Sequence, residues 1–442
     1  MMSTESGRTI PKLLVALGLT VALVMMATPA QAAVGDLTAK AFLTPPELSI
    51  PDSVAVSPDG RSVYATAESD DAIYLFSRNT TSGALTAKGC VEDNDTGPGT
   101  CVLSTDGLEG PSSVAVSPDG KSVYVTSGFD SAITRFTRNT TSGALKPKGC
   151  IDDIQSGDDT CATELDIIGN PRSVAVSPDN KSVYVFAGGD DTVLRFNRNT
   201  TSGRLTFKGC VAEANENQPC AQETIGLFGG DFVTVSPDGK SVYTVSDFES
   251  AIVRFKRNTT SGAITPAGCV EDNDGGPGCA QSTDGLGGAI SIAVSPDNTS
   301  VYVASRTDDA LVRFDRDTST GALTPAGCVD DNDTGPEPCT QNMDGLDGAI
   351  SVAVSPDVGE SSVYVAAESD YDIAHLSRDT STGALTPVGC IDDDFFGDDT
   401  CTQSADHLFA PVAVAVSLDG KSVYVAINTE SGILVFKRQA AP

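Results

Sequence analysis

The sequence predicts an all-β chain closed into a ring of seven sheets, each of four antiparallel strands, and three observations predict it. A Ser-Pro-Asp-like turn recurs at Ser57, Ser117, Ser177, Ser236, Ser295, Ser355 and Ser417, seven copies spaced 59 to 62 residues apart, and fixed-period self-similarity of this kind marks a repeat architecture. Each copy holds four short β-rich runs and no stretch with a helical period. The last copy stops after its third run, and the missing fourth stands at the other end of the chain.

Ser113 to Cys150 shows one repeat. The apolar run Val114 to Val116 is a strand that ends at Ser117-Pro118-Asp119-Gly120, where proline presets the turn and glycine supplies a positive φ. Ser122 to Thr126, Ala132 to Phe136 and Ala144 to Lys148 are the second, third and fourth strands, separated by Gly128-Phe129-Asp130 and by Asn139 to Gly143. Seven such sheets leave the fewest edges when arranged radially as a β-propeller. An open stack would need polar caps at both ends, and none is visible. The repeats run near 51–110, 111–170, 171–229, 230–288, 289–348, 349–410 and 411–438, the last completed by 35–43. Gly35 to Lys40 echoes Gly83 to Lys88, so the N-terminal strand is expected to finish the seventh blade.

Residues 1–32 read as an export signal: Arg8 and Lys12, the apolar run Leu13 to Ala27, and Ala30-Gln31-Ala32 as a small-residue cleavage site. The apolar run is too short for a comfortable membrane span, so no transmembrane anchor is expected once the signal is removed. The remainder, 33–442, is expected to be one domain, secreted or periplasmic and monomeric. Twelve cysteines fall into six local pairs, Cys90-Cys101, Cys150-Cys161, Cys210-Cys220, Cys269-Cys279, Cys328-Cys339 and Cys390-Cys401. An even count, local pairing and an export signal together predict six disulfides in an oxidising compartment. In the seventh blade Phe42 stands where the first cysteine would be, so no seventh bridge is expected.

The formal net charge is −32, which makes nucleic acid and anionic membrane poor partners. An unidentified extracellular ligand or protein is the expected partner. Acids concentrate in the loops between blades and in the turns between second and third strands, such as Asp70-Asp71, Asp190-Asp191 and Asp308-Asp309. Both connections fall on one face of an up-and-down propeller. The opposite face receives Arg61, Lys121, Lys181, Lys240 and Lys421 with Arg78, Arg138, Arg198, Arg257, Arg316, Arg378 and Arg438. An acidic crown opposite a more basic face is therefore expected.

Three crown loops place oxygen-bearing side chains close together before glycine: Glu92, Asn94 and Asp95; Glu271, Asn273 and Asp274; Asp330, Asn332 and Asp333. Calcium takes six to eight hard oxygen ligands, so these are the candidate metal ligands and calcium the candidate cofactor; the same residues also suit plain solvated acidic turns. At the channel mouth, the residues entering the innermost strands are Asp52, Ser112, Arg172, Asp231, Ile290, Ile350 and Val412, and the polar members supply the asymmetry a site needs. His407, in the loop entering the last blade, is placed to act as a general base.

Ser-Pro-Asp-Gly-Lys-Ser-Val-Tyr-Val, then Asp-x-Ala-Ile-x-x-Phe and Thr-x-x-Gly-Ala-Leu-Thr-Pro, resembles the lactonase-type seven-bladed propellers, with a further likeness to YVTN-type surface repeats. The resemblance covers essentially all of 33–442. It implies the fold and, through 6-phosphogluconolactonase and the carboxymuconate lactonising enzymes, a site of histidine, glutamate and arginine around the central channel. By residue type His407 and Arg172 match such roles.

Two functions from different classes follow. One is a binding or scaffold propeller acting through its acidic, disulfide-tied crown, with calcium as a candidate ligand. The alternative is a lactone hydrolase in which His407 activates water, Arg172 stabilises the oxyanion and Asp52 or Asp231 orients the base.

Overall fold

The computed structural model describes residues 35–45, 48–155, 160–214, 216, 218–335, 339–357, 360–395 and 400–439. The expected leader, 1–32, lies outside them. Seven sheets form a seven-bladed propeller, and the innermost strands, Pro51–Val56, Pro111–Val116, Pro171–Val176, Gly230–Val235, Ala289–Val294, Ala349–Val354 and Pro411–Val416, follow one another around a closed ring. In blade 1 the chain continues outward through Ser62–Ala67, Ala72–Arg78 and Leu85–Asp93, each antiparallel to the last.

Blades 1 to 6 carry one strand more than the repeat predicts. In blade 1 the short segment Leu103–Thr105 lies parallel to Leu85–Asp93, pairing Val91 with Leu103, and the same addition recurs in the next five blades. All six disulfides are formed, with Cα atoms 5.0 to 5.3 Å apart. Each ties the crown loop back to the fourth strand, and the returning chain then lies alongside it. Closing a loop of this length stabilises by about 3 kcal/mol. Among the described residues blade 7 has neither the bridge nor the extra strand: its outermost strand is Leu37–Leu43, antiparallel to Gly432–Arg438 with Leu37 opposite Arg438 and Leu43 opposite Ile433.

The core is a set of layers between blades. Second strands such as Ser62–Ala67 are buried along their whole length because sheet neighbours flank them and the adjoining blades cover both faces. One layer packs Tyr64, Ile73 and Val91 of blade 1 against Val114, Val123 and Phe136 of blade 2, and comparable layers fill the other junctions. Burial of this apolar area, worth about 25 cal/mol per Å², holds blade to blade.

The arginines expected on a basic face are not on a surface. Arg78, Arg138, Arg198, Arg257, Arg316, Arg378 and Arg438 are each at most 5% exposed. Each pairs with an aspartate of the preceding blade's Ser-Pro-Asp-like turn and donates through Nε to a tyrosine hydroxyl of that blade. A buried guanidinium needs a counter-charge and full hydrogen bonding, and the neighbouring blade supplies both. Most of the expected basic face is therefore buried. No helix among the described residues is long and apolar enough to cross a membrane.

Candidate functional site at the channel mouth

The central channel opens on the crown face into a cavity of about 720 Å³. Its wall is built by a feature repeated in every blade. The pairing register of each innermost strand shifts around its second residue, so Asp52, Ser112, Arg172, Asp231, Ile290, Ile350 and Val412 are the extra, unpaired residues of seven β-bulges. All seven line the cavity. A bulge frees one residue from the ladder and re-aims its side chain. The residue two before each bulge has a positive φ, from Asn170 at 45° to Gly288 at 70°. At blade 1 that residue is Ile50, with φ 50°, a left-handed conformation strained for a β-branched side chain.

The polar members of this ring carry the electrostatics. Asp52 is largely buried, and burial, with the nearby charge of Glu68 adding to it, pushes its carboxyl up to about 8. Its Oδ2 is buried without a hydrogen-bond partner, and the same is true of Oδ2 of Asp231. Asp231 is raised by burial too, with Arg172 opposing; Arg172 Nη1 donates to Asp231 Oδ1 across the junction of blades 3 and 4. Ser112 Oγ donates to the Pro171 carbonyl at 2.9 Å. The wall therefore offers a carboxyl poised to exchange a proton near neutrality, a guanidinium with donors to spare, and two buried acceptor oxygens left for a ligand or water.

The sequence reading missed a second tier. The first residue of each turn between second and third strands also reaches the mouth in five blades, as Glu68, Gly128, Arg306, Glu368 and Asn428. Arg306 and Glu368 form an ion pair at 3.6 Å. Aligning the repeats at this position, where residue types differ as much as at the bulge, would have found it.

His407 is not among the residues lining the cavity. Its ring stacks on Phe42, with centroids 4.4 Å apart, and Nδ1 meets Glu430 Oε2 at 2.9 Å. Phe42 belongs to the outermost strand of blade 7. Arg172, Asp231 and Asp52 line one cavity, and His407 stands on the crown outside it.

The candidate calcium loops spend much of their oxygen on themselves. Glu92 Oε2 accepts backbone N–H groups of Gly99, Thr100 and Cys101 at 3.0 to 3.2 Å, and Glu271 Oε2 accepts those of Gly278 and Cys279. Asn94, Asn273 and Asn332 bond Asp106, Asp284 and Asp344. Asp330 is raised by burial, against hydrogen bonds from its own and Cys339's backbone. Asp95, Asp274 and Asp333 are exposed on the loops. Among the described residues the one close trio of potential metal ligands is Asp372 with Cys390 and Cys401, and both sulfurs are joined in a disulfide.

Seven blades around a channel whose mouth carries an asymmetric polar cavity define the class, a ligand-accessible β-propeller. The family model described as "Lactonase, 7-bladed beta-propeller" matches residues 96–222 and 228–390, and the chain belongs to that family. Among solved structures it is similar to a candidate 6-phosphogluconolactonase of Bacteroides uniformis, at 18% identity and TM-score 0.56, covering 79% of this chain and 86% of that one. A candidate 6-phosphogluconolactonase of Bacteroides fragilis matches at 19% identity and TM-score 0.55, covering 78% and 85%. The periplasmic gluconolactonase of Pseudomonas aeruginosa matches at 17% identity and TM-score 0.55, covering 83% and 88%. These identities show a shared fold. No curated protein matches the sequence.

Proposed function

We propose that this protein is an extracytoplasmic lactone hydrolase working at the crown-side mouth of the channel. The observation that carries the reading is the polar arc of bulge residues, in which a buried, proton-poised Asp52 shares one cavity with the Arg172–Asp231 pair. Membership of the lactonase family supports it, although fold alone does not assign activity. Six disulfides suit an oxidising compartment, and residues 1–32 have the pattern of an export signal. The crown-binding reading has no observation of its own to favour it, because Glu92 and Glu271 are engaged by their own loops.

In this mechanism Asp52, as carboxylate, takes a proton from water as the water oxygen attacks the lactone carbonyl carbon. Arg172 donates to the oxyanion that develops while Asp231 holds the guanidinium in place. The ring C–O bond then breaks, its electron pair passes to the ring oxygen, and that oxygen takes the proton from Asp52 to give a hydroxy acid. His407, which the sequence offered as the base, has no part in it.

The test is hydrolysis of a panel of lactones across pH 5 to 10. Because the base form of Asp52 is populated only as pH approaches 8, kcat/KM is expected to climb about tenfold per unit at lower pH and level above it. Asp52→Asn should lose about 10²-fold or more together with the climbing limb, and Arg172→Ala about 10²-fold. His407→Ala should retain wild-type turnover. Full activity in Asp52→Asn, or no lactone turned over by the disulfide-intact protein, would sink the proposal.

A further inference from the structure

The seven bulge residues divide the channel mouth into two continuous arcs. Blades 1 to 4 contribute Asp52, Ser112, Arg172 and Asp231, whereas blades 5 to 7 contribute Ile290, Ile350 and Val412. The three aliphatic side chains are partly exposed on the cavity wall. Leaving such surface in water costs about 25 cal/mol per Å², and a ligand hydroxylated on every side would recover none of it. A hydrocarbon group laid on this arc recovers it.

Charge narrows the ligand further. Both arginines of the wall are already matched, Arg172 by Asp231 and Arg306 by Glu368. Asp52 and Glu68 face the same cavity. A phosphorylated or carboxylated ligand would meet net negative potential there, with no described lining cation left unpaired to receive it.

The geometry points to a substrate class for this site: uncharged lactones carrying a hydrocarbon substituent, with the lactone ring at the polar arc and the substituent across the mouth on Ile290, Ile350 and Val412. This inference rests on the hydrolase reading above. Hydrolysis adds one water, opens the ring C–O bond and releases a hydroxy acid. The substituent takes no part in those bond changes and contributes through binding alone.

Two series test it. In the first, kcat/KM is measured for δ-lactones with no substituent and with methyl, propyl and pentyl side chains, beside glucono-δ-lactone and its 6-phosphate. Each methylene that reaches the arc is expected to raise kcat/KM about threefold, with the sugar lactone slower and its phosphate slowest. Ile290→Asn and Ile350→Asn should flatten the dependence on chain length. In the second, calorimetry follows binding of δ-lactams with the same side chains, which reads the arc without turnover. A flat or falling chain-length series with good hydrolysis of the sugar lactone overturns the substrate class and leaves the hydrolase standing. Lactams that tighten with chain length while no lactone is hydrolysed overturn the hydrolase and leave the ligand class. Neither turnover nor a chain-length effect overturns both.

Discussion

Removing residues 35–43 is expected to cost roughly 5 kcal/mol or more, comparable with the whole stability of an ordinary domain. The strand Leu37–Leu43 covers the outer edge of blade 7 through six register pairs with Gly432–Arg438. Leu37 is 3% exposed and packs in one inter-blade layer with Tyr364, Val423 and Phe436, and fully burying a leucine is worth about 2 kcal/mol. The chain ends are joined where other blades have a covalent turn: Gly35 N donates to the Gln439 carbonyl at 2.8 Å, and Gln439 N to that of Asp36 at 2.9 Å. Without the strand, Tyr364 also loses Gly35 O as its acceptor, and an unpaired edge remains to recruit another chain. Light scattering and thermal melting of the truncated protein should show aggregation or a much lower Tm. A synthetic peptide of residues 35–43 added in trans should restore part of it. A truncated protein that melts with the full chain would show that the ring closes without its clasp.

The second large effect is expected at the arginine junctions. Arg138 donates to Tyr64 Oη at 2.8 Å, Asp59 Oδ1 at 2.9 Å, Ser62 Oγ at 3.1 Å and its own blade's Gly120 carbonyl at 3.1 Å. Tyr64 in turn donates to Gly143 O at 2.6 Å, which draws the Asn139–Gly143 turn of blade 2 onto blade 1. Burial pushes the Asp59 carboxyl up, but hydrogen bonds from Ser57, the Arg61 N–H and Arg138 outweigh it and hold the group below its ordinary value. Arg138→Ala leaves Asp59 and Tyr64 without that partner, and breaking a buried pair on one side typically costs about 3 to 5 kcal/mol. Arg138→Lys should recover little, because one ammonium cannot reach four acceptors in the planar fork's directions. Urea unfolding measures both, with Lys121→Ala as an exposed control expected within about 0.5 kcal/mol of wild type. A loss below about 1 kcal/mol for Arg138→Ala would show that the apolar layers alone hold the blades together.

The pairing at Asp59 also sets how that junction responds to acid. A carboxylate whose folded pKa is depressed contributes stability present above its unfolded value and lost as pH falls through the folded one. The junctions at Asp59, Asp119, Asp179, Asp238, Asp297 and Asp419, whose carboxyls are all held below their ordinary value, are thus acid-sensitive. Asp52 has the opposite sign: its raised pKa makes its contribution greatest below the unfolded value near 4, and that contribution is lost as pH rises through about 8. The catalytic proposal accordingly puts the working form of Asp52 where it is least favourable for stability, as expected of a group used for chemistry.

What the sequence by itself determined is everything that repeats. Seven Ser-Pro-Asp-like turns, four β runs per copy, six cysteine pairs and the echo of Gly83–Lys88 in Gly35–Lys40 are local patterns. Turn chemistry, alternation and loop closure act over a few residues, so four strands per blade, the bridges and the clasp were legible, whereas the short fifth strand of blades 1 to 6 was not. The channel positions were legible as well, because aligning the copies shows Asp52, Ser112, Arg172 and Asp231 standing against Ile290, Ile350 and Val412. Tertiary structure alone decided which groups meet. The seven arginines look like a basic surface in the chain, yet each is consumed by an aspartate about 80 residues earlier or across the ring closure. His407 looks like a channel base, yet it rests on Phe42, which only the clasp brings near. Burial and pairing depend on the neighbouring blade, and a chain read in order does not show what the next blade lays against it.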